Sequence, residues 1–257
     1  MNVLEVKNLN MSFIQYDKGL KRRKIDVIKN LNLDIRENEI LAVFGASGSG
    51  KSLLAHFILD ILPYNAKTSG EIFYKGKIID SSNIETIRKN EISFIPQSIN
   101  SLNPYLNIKS QLKFMIKDID LEKKKAIYDN LNLPLEIDSM YPFQLSGGMA
   151  RKVLLLISVL ENRNLIIADE PTPGLDQQCV KSTIDFFKGI KEDFKSALII
   201  THDINMALQC ADRIAIFYDG KIIEIEDRDD FKNNGENLKN PYSKMLIKSL
   251  PENEFIL

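Results

Sequence analysis

The 257-residue chain has 44% hydrophobic and 27% charged residues and a formal net charge of −1, which suits a globular protein long enough to bury one large or two modest cores. Near-neutral charge leaves no global positive field to hold nucleic acid or an anionic bilayer. Two distant cysteines, Cys179 and Cys210, make neither a disulfide framework nor a metal-ligand pattern and fit a reducing compartment.

In chain order, residues 3–13 read as a strand, and the basic run Lys21-Arg22-Arg23-Lys24 as a solvated loop. The start, Met1-Asn2-Val3-Leu4-Glu5, has no signal-peptide character. Leu31-Asn32-Leu33-Asp34-Ile35 alternates as a half-buried antiparallel strand would, whereas Ile40-Leu41-Ala42-Val43-Phe44 is a continuous apolar run suited to a buried parallel strand. A glycine–serine loop and a helical stretch over 52–62 follow. A strand is expected at 92–95, and three more apolar runs lie at 165–168, 197–200 and 214–217. Intervening helical patterns predict a parallel sheet with crossover helices. Between 97 and 145 the spacing of Leu112, Met115, Ile116 and Ile119 is helical, which predicts a small α-helical subdomain inserted into the α/β core at about 98–148. The polar stretch 226–240 reads as a surface linker and 241–250 as a short helix. No apolar run reaches the ~18–20 residues of a spanning helix, so other chains would have to cross any membrane.

The motifs carry the chemistry. Gly45-Ala46-Ser47-Gly48-Ser49-Gly50-Lys51-Ser52 fits G-x-x-x-x-G-K-S, lies after an apolar strand and, continuing into Leu53, opens a helix. Such a P-loop wraps a polyphosphate with backbone N–H groups and a helix N-terminus. Lys51 is expected on the β- and γ-phosphates of ATP, and the Ser52 hydroxyl on Mg²⁺. Leu165-Ile166-Ile167-Ala168-Asp169-Glu170 ends an apolar strand on two carboxylates, a costly arrangement unless the charges have partners. Asp169 can hold Mg²⁺ and Glu170 can take a proton from attacking water. Read alone, the pair would equally be surface acids in a strand-end turn. Leu145-Ser146-Gly147-Gly148-Met149, before a helix over 150–160, is by itself only a helix start.

Taken jointly, these three segments resemble the P-loop, signature motif and carboxylate pair of ATP-binding-cassette (ABC) ATPases, over essentially the whole chain. The resemblance implies an α/β fold, a P-loop NTPase core with an antiparallel β subdomain and the inserted helical subdomain. It implies one nucleotide-binding domain over 1–251 and a tail over 252–257. Gln97 is similar to the Q-loop glutamine, a Mg²⁺ ligand that senses membrane subunits; Asp176, in Gly174-Leu175-Asp176, resembles the D-loop aspartate; His202, in Thr201-His202-Asp203, resembles the switch histidine at the γ-phosphate. Phe13 resembles the aromatic that stacks on adenine, with Tyr16 as a rival and a plain core aromatic as a third reading, while His56 reads as structural. In this family two subunits sandwich ATP head to tail, so Ser146, Gly147, Gly148 and Met149 would act on the partner's nucleotide.

Within the family, Met149 in place of the common glutamine, Ser101-Leu102-Asn103-Pro104, and Asn240-Pro241-Tyr242-Ser243 with Leu250-Pro251 resemble the oligopeptide/dipeptide/nickel importer ATPases. That implies uptake of small peptides or of nickel. It also implies a second, different ATPase subunit, two transmembrane permease subunits, an extracytoplasmic substrate-binding protein, and a peripheral place on the cytoplasmic face of the membrane. The cysteine-rich, cluster-bearing extension of many peptide-importer members has no counterpart after Cys210, which tilts the expectation towards nickel. Thr172-Pro173-Gly174-Leu175-Asp176 departs from the usual Thr-Thr-Ala-Leu-Asp but keeps the aspartate. The competing expectations are a non-transport ABC ATPase, a non-hydrolysing regulatory subunit, and an ABC subunit for another substrate.

Overall fold

Two long strands, β1 (Asn2–Tyr16) and β2 (Arg22–Arg36), pair antiparallel, and β4 (Ala66–Tyr74) and β5 (Lys77–Ile78) extend them into a sheet of order β2-β1-β4-β5. The computed structural model describes residues 1–16, 22–116, 119–191, 193 and 195–249. Lys21 of the basic run, the Tyr16 side chain, Leu250-Pro251 and the 252–257 tail lie outside the described residues. Leu31, Leu33 and Ile35 are buried and their neighbours more open, as the alternation predicts.

The second sheet has six strands in the order β10-β9-β3-β8-β7-β6: β3 (Ile40–Phe44), β6 (Ile92–Ile95), β7 (Leu165–Asp169), β8 (Ser196–Thr201), β9 (Arg213–Tyr218) and β10 (Lys221–Asp227). Only the β9–β10 hairpin is antiparallel. Every residue of β3, β7 and β8 is buried, which is why these strands read as continuous apolar runs. Each fully buried Val, Leu, Ile or Phe stabilises the fold by about 1.5–3 kcal/mol. Arg213 ties the two sheets together: its Nε donates to Glu39 Oε1 (2.5 Å) and its Nη2 to Asp34 Oδ2 (2.9 Å). Those bonds hold its guanidinium above its ordinary pKa.

Helices α1 (Ser52–Ile58), α2 (Ile84–Asn90), α3 (Ile108–Met115), α4 (Leu121–Asn130), α5 (Gly147–Leu160), α6 (Gln177–Ile190), α7 (Ile204–Cys210) and α8 (Pro241–Lys248) complete the chain. Short polar residues start most of them: Asn107, Asp120, Ser146, Asp176, Asp203 and Asn240 each accept a backbone N–H of the first turn. Helix α5 carries ten buried residues and lies between α4, α6 and β6.

Four expectations change. The basic run is not a loop beyond Lys21: Arg22, Arg23 and Lys24 open β2, paired with Tyr16, Gln15 and Ile14 of β1. The helix over 52–62 ends at Ile58, because Asp60 adopts a left-handed φ of 52° and Ile61 faces outward. Helix α3 stops at Met115; Ile116 is extended, and Ile119 packs on the core from outside any helix. The stretch 226–240 is not a surface linker. It completes β10, makes 3₁₀ turns at Arg228–Phe231 and Asn233–Gly235, and buries Phe231 and Leu238 in the main core.

Candidate nucleotide site

The C-terminal ends of β3, β7 and β8 converge on one edge of the parallel sheet, where open α/β sheets place their ligands. Leaving β3, the chain must pass Gly45 close to β9: a Cβ there would lie 2.5 Å from the Phe217 carbonyl oxygen. The loop turns on Gly50, whose φ of +100° excludes ordinary side chains, and enters α1 through Lys51 and Ser52. Ala46, Ser47 and Gly48 are exposed along its crest, while the Ser49 hydroxyl is buried with no hydrogen-bond partner among the described residues.

Lys51 is 3% exposed. Its Nζ donates to the carbonyls of Gly45 and Ala46, both at 2.8 Å, and lies 3.8 Å from Glu170 Oε1. Burial pulls its pKa below the ordinary lysine value, against the pull of Glu170 and Asp169. Ser52 Oγ donates to Asp169 Oδ1 at 2.8 Å, and burial pushes the Asp169 carboxyl up. Glu170 takes a left-handed φ of 46°, its N–H bonding the Ile200 carbonyl at 2.8 Å. Its Oε2 lies 2.6 Å from Nδ1 of His202, just beyond β8. Lys51, Ser52, Asp169, Glu170 and His202 are thus brought together.

The remaining expected residues stand outside that linked set. Phe13 is half-buried on β1, paired with Ile25 and Ala66, and packs on the same cluster as Leu53. His56 meets Phe94 edge to face, with ring centroids 6.4 Å apart. Gln97 is exposed, and its carbonyl accepts from Arg151 Nη2 at 2.5 Å, while Pro96 O accepts from Arg151 Nη1 at 2.6 Å. Ser146 caps α5 through Met149 N (3.2 Å), and Asp176 caps α6 through Cys179 N (2.8 Å), which lowers the Asp176 carboxyl. The two helix starts touch: a Cβ on Gly148 would fall 2.9 Å from Cys179 Sγ.

Sequence reasoning missed Arg151, Cys179 and Phe217. Arg151 and Phe217 act through long-range contacts that no local pattern announces. Cys179, three residues past Asp176, could have been found as the first-turn position of a capped helix.

Residues 28–173 match the family model described as ABC transporter. The chain belongs to the ABC transporter family. It is 33% identical over 97% of its length to the dipeptide transport ATP-binding protein DppD of Bacillus subtilis, covering 77% of that protein. With the oligopeptide transport ATP-binding protein OppD of Lactococcus lactis subsp. cremoris it shares 31% identity over 99% of this chain and 78% of that one. The putative hemin import ATP-binding protein HrtA of Staphylococcus epidermidis is 32% identical over 85% of this chain and 98% of that protein. A dimeric ATP-binding cassette solved in a post-hydrolysis state with ADP and Pi superposes with a TM-score of 0.74 at 28% identity, covering 88% of this chain and 98% of that one. This ABC chain is an ATPase with a P-loop NTPase fold.

Proposed function

We propose that this chain is the Mg²⁺-ATP-hydrolysing subunit of an importer for small peptides. The observation that carries the hydrolytic reading is the linked set Lys51–Glu170–His202 beside Ser52–Asp169. Lys51, already held among loop carbonyls, exchanges them for β- and γ-phosphate oxygens; the buried, unpartnered Ser49 hydroxyl suits the same anion. Ser52 Oγ and Asp169 Oδ1 offer hard oxygen donors to Mg²⁺, with Gln97 as a further ligand. When bound, Mg²⁺ neutralises charge on the phosphates. Glu170 holds the proton taken from attacking water, and His202, bonded to Glu170, faces the γ-phosphate. Phe13 supports the adenine.

The helix starts at Ser146–Met149 and Asp176 would serve ATP on a second subunit, their N–H groups and helix dipoles facing its phosphates. The segment 98–148 forms the helical subdomain of a nucleotide-binding domain over 1–251. Among the described residues no helix is long and apolar enough to cross a membrane. Two permease subunits would therefore hold the chain at the cytoplasmic face, with an extracytoplasmic binding protein delivering cargo. Met149 favours a second, different ATPase chain as partner.

Peptide rather than nickel is supported by 33% identity across 97% of this chain with a dipeptide transport ATP-binding protein. A deletion strain grown on di- and oligopeptides, with cellular nickel measured in parallel, tests the cargo. Failed peptide uptake with normal nickel is the expected result; normal peptide uptake with depleted nickel reverses it, and loss of neither points to another substrate. Purified alone, the chain should be mostly monomeric and slow, and the second ATPase with the permeases should activate it. A fully active homodimer would exclude the heteromeric partner.

A further inference from the structure

Arg151 is a buried guanidinium, 4% exposed, on the second turn of α5, one turn beyond Gly147. Among the described residues no carboxylate shares its hydrogen bonds. Its two Nη groups instead fork onto the carbonyls of Pro96 and Gln97, at 2.6 and 2.5 Å, and its Nε is buried without a hydrogen-bond partner among the described residues. Those two carbonyls close β6, whose last residue, Ile95, pairs with Ala168, the neighbour of Asp169. One side chain therefore spans the helix that begins with the signature residues and the loop that carries Gln97, beside the strand that carries Asp169. A planar fork is the group suited to two adjacent carbonyls; a lysine is a point charge and cannot grip both in the same way.

We propose that Arg151 is a positioning residue that locks the Gln97 loop to the signature helix, so that Gln97 and residues 146–148 move as one unit. Burying an arginine is expensive in desolvation, which lowers its pKa against the pull of the Asp169 carboxylate, so the two carbonyls it grips are a costly tie. A fixed fork makes the approach of a partner's nucleotide to Ser146 and the placement of Gln97 interdependent. The part of this that concerns metal rests on the proposed Mg²⁺ role of Gln97.

The test uses the full-length chain as wild type, Arg151→Met, Arg151→Lys and, separately, Gln97→Ala. Amide hydrogen exchange is followed in peptides over 96–101 and 146–150. Half-saturating Mg²⁺ is measured for binding of a non-hydrolysable ATP analogue. Arg151→Met should speed exchange over 96–101 by about tenfold or more, as losing charge-assisted hydrogen bonds implies. It should also raise half-saturating Mg²⁺ several-fold with metal-free nucleotide affinity unchanged. Arg151→Lys should fall between, and it decides the matter if the methionine variant also loosens β3. Gln97→Ala should raise half-saturating Mg²⁺ without moving exchange. Wild-type exchange over 96–101 in both Arg151 variants overturns the proposal. Faster exchange with unchanged Mg²⁺ dependence in both Arg151→Met and Gln97→Ala upholds the lock and removes Gln97 from the metal.

Discussion

Glu170 Oε2 sits 2.6 Å from His202 Nδ1, which joins the end of β7 to the residue after β8. Asp169 and Glu170 are adjacent in sequence yet have different partners. Asp169 finishes the strand and meets Ser52, whereas the left-handed backbone at Glu170 turns its side chain to Lys51 and His202. Strain of that kind at a non-glycine residue costs on the order of 1–3 kcal/mol and persists where the surroundings over-determine it. Here the Glu170 N–H bond to Ile200 and the two side-chain contacts do so.

Replacing Glu170 with glutamine keeps the shape and a hydrogen bond to His202 but removes the carboxylate proposed as the base. ATP affinity should be retained and steady-state turnover should fall by roughly 10²–10⁴. Turnover within about a factor of two of wild type, measured by phosphate release, would take Glu170 out of that role.

Lys51→Ala should act earlier, on binding. Loss of a charge-assisted contact to phosphate should weaken nucleotide binding by on the order of 1.5–3 kcal/mol, read by titration calorimetry. The glycines and the Ser49 hydroxyl remain, so residual binding is expected. Unchanged affinity would mean that Lys51 keeps its present carbonyl partners when nucleotide binds.

Asp169→Asn separates stability from activity. Burial raises the Asp169 pKa, with the Ser52 hydroxyl working in the opposite direction. A carboxyl raised in the folded state contributes stability that is present below its unfolded pKa and lost as pH rises through the folded value. Asparagine carries no such charge and can still accept from Ser52. In metal-free buffer the variant should melt as high as wild type or higher at about pH 7.5, with the gap shrinking towards about pH 5. Mg²⁺-dependent hydrolysis should be lost in the same protein. A lower melting temperature at neutral pH would show that the charged Asp169 stabilises the fold through partners other than Ser52.

The placement of the candidate residues was legible where the pattern is local. The P-loop spacing, the carboxylates ending an apolar run and the histidine closing another each identify a strand end, and the sheet order then gathers them. What could not be read depends on distant contacts. Phe231 and Leu238 are isolated apolar residues in a polar stretch, and only the neighbouring core reveals that they are buried. The 52–62 helix failed for the opposite reason: Ile61 prolongs the apolar period while facing solvent, and Asp60 ends the helix by a turn that aspartate tolerates but does not advertise. Arg151 reads as one more charged residue on a helix until its fork onto Pro96 and Gln97 is seen.

Gly147 and Gly148 make opposite demands, and together they test whether this segment meets a second subunit's nucleotide. A Cβ on Gly148 would press on Cys179 Sγ at 2.9 Å, while one on Gly147 would meet nothing within 4 Å. Gly148→Ala should therefore lower the melting temperature of the isolated chain, and adding Cys179→Ala, which removes the obstructing sulfur, should restore most of it. Gly147→Ala should be silent or stabilising in the isolated chain, since alanine is favoured over glycine in a helix by about 1 kcal/mol. Its own nucleotide affinity should not change. In the assembled transporter the added methyl would stand at the helix N-terminus, between its N–H groups and the partner's phosphates. Displacing such preorganised donors costs roughly 10²–10³ in turnover. Full ATPase activity of assembled Gly147→Ala would show that this helix start does not touch nucleotide, and the head-to-tail arrangement would have to be abandoned for this chain.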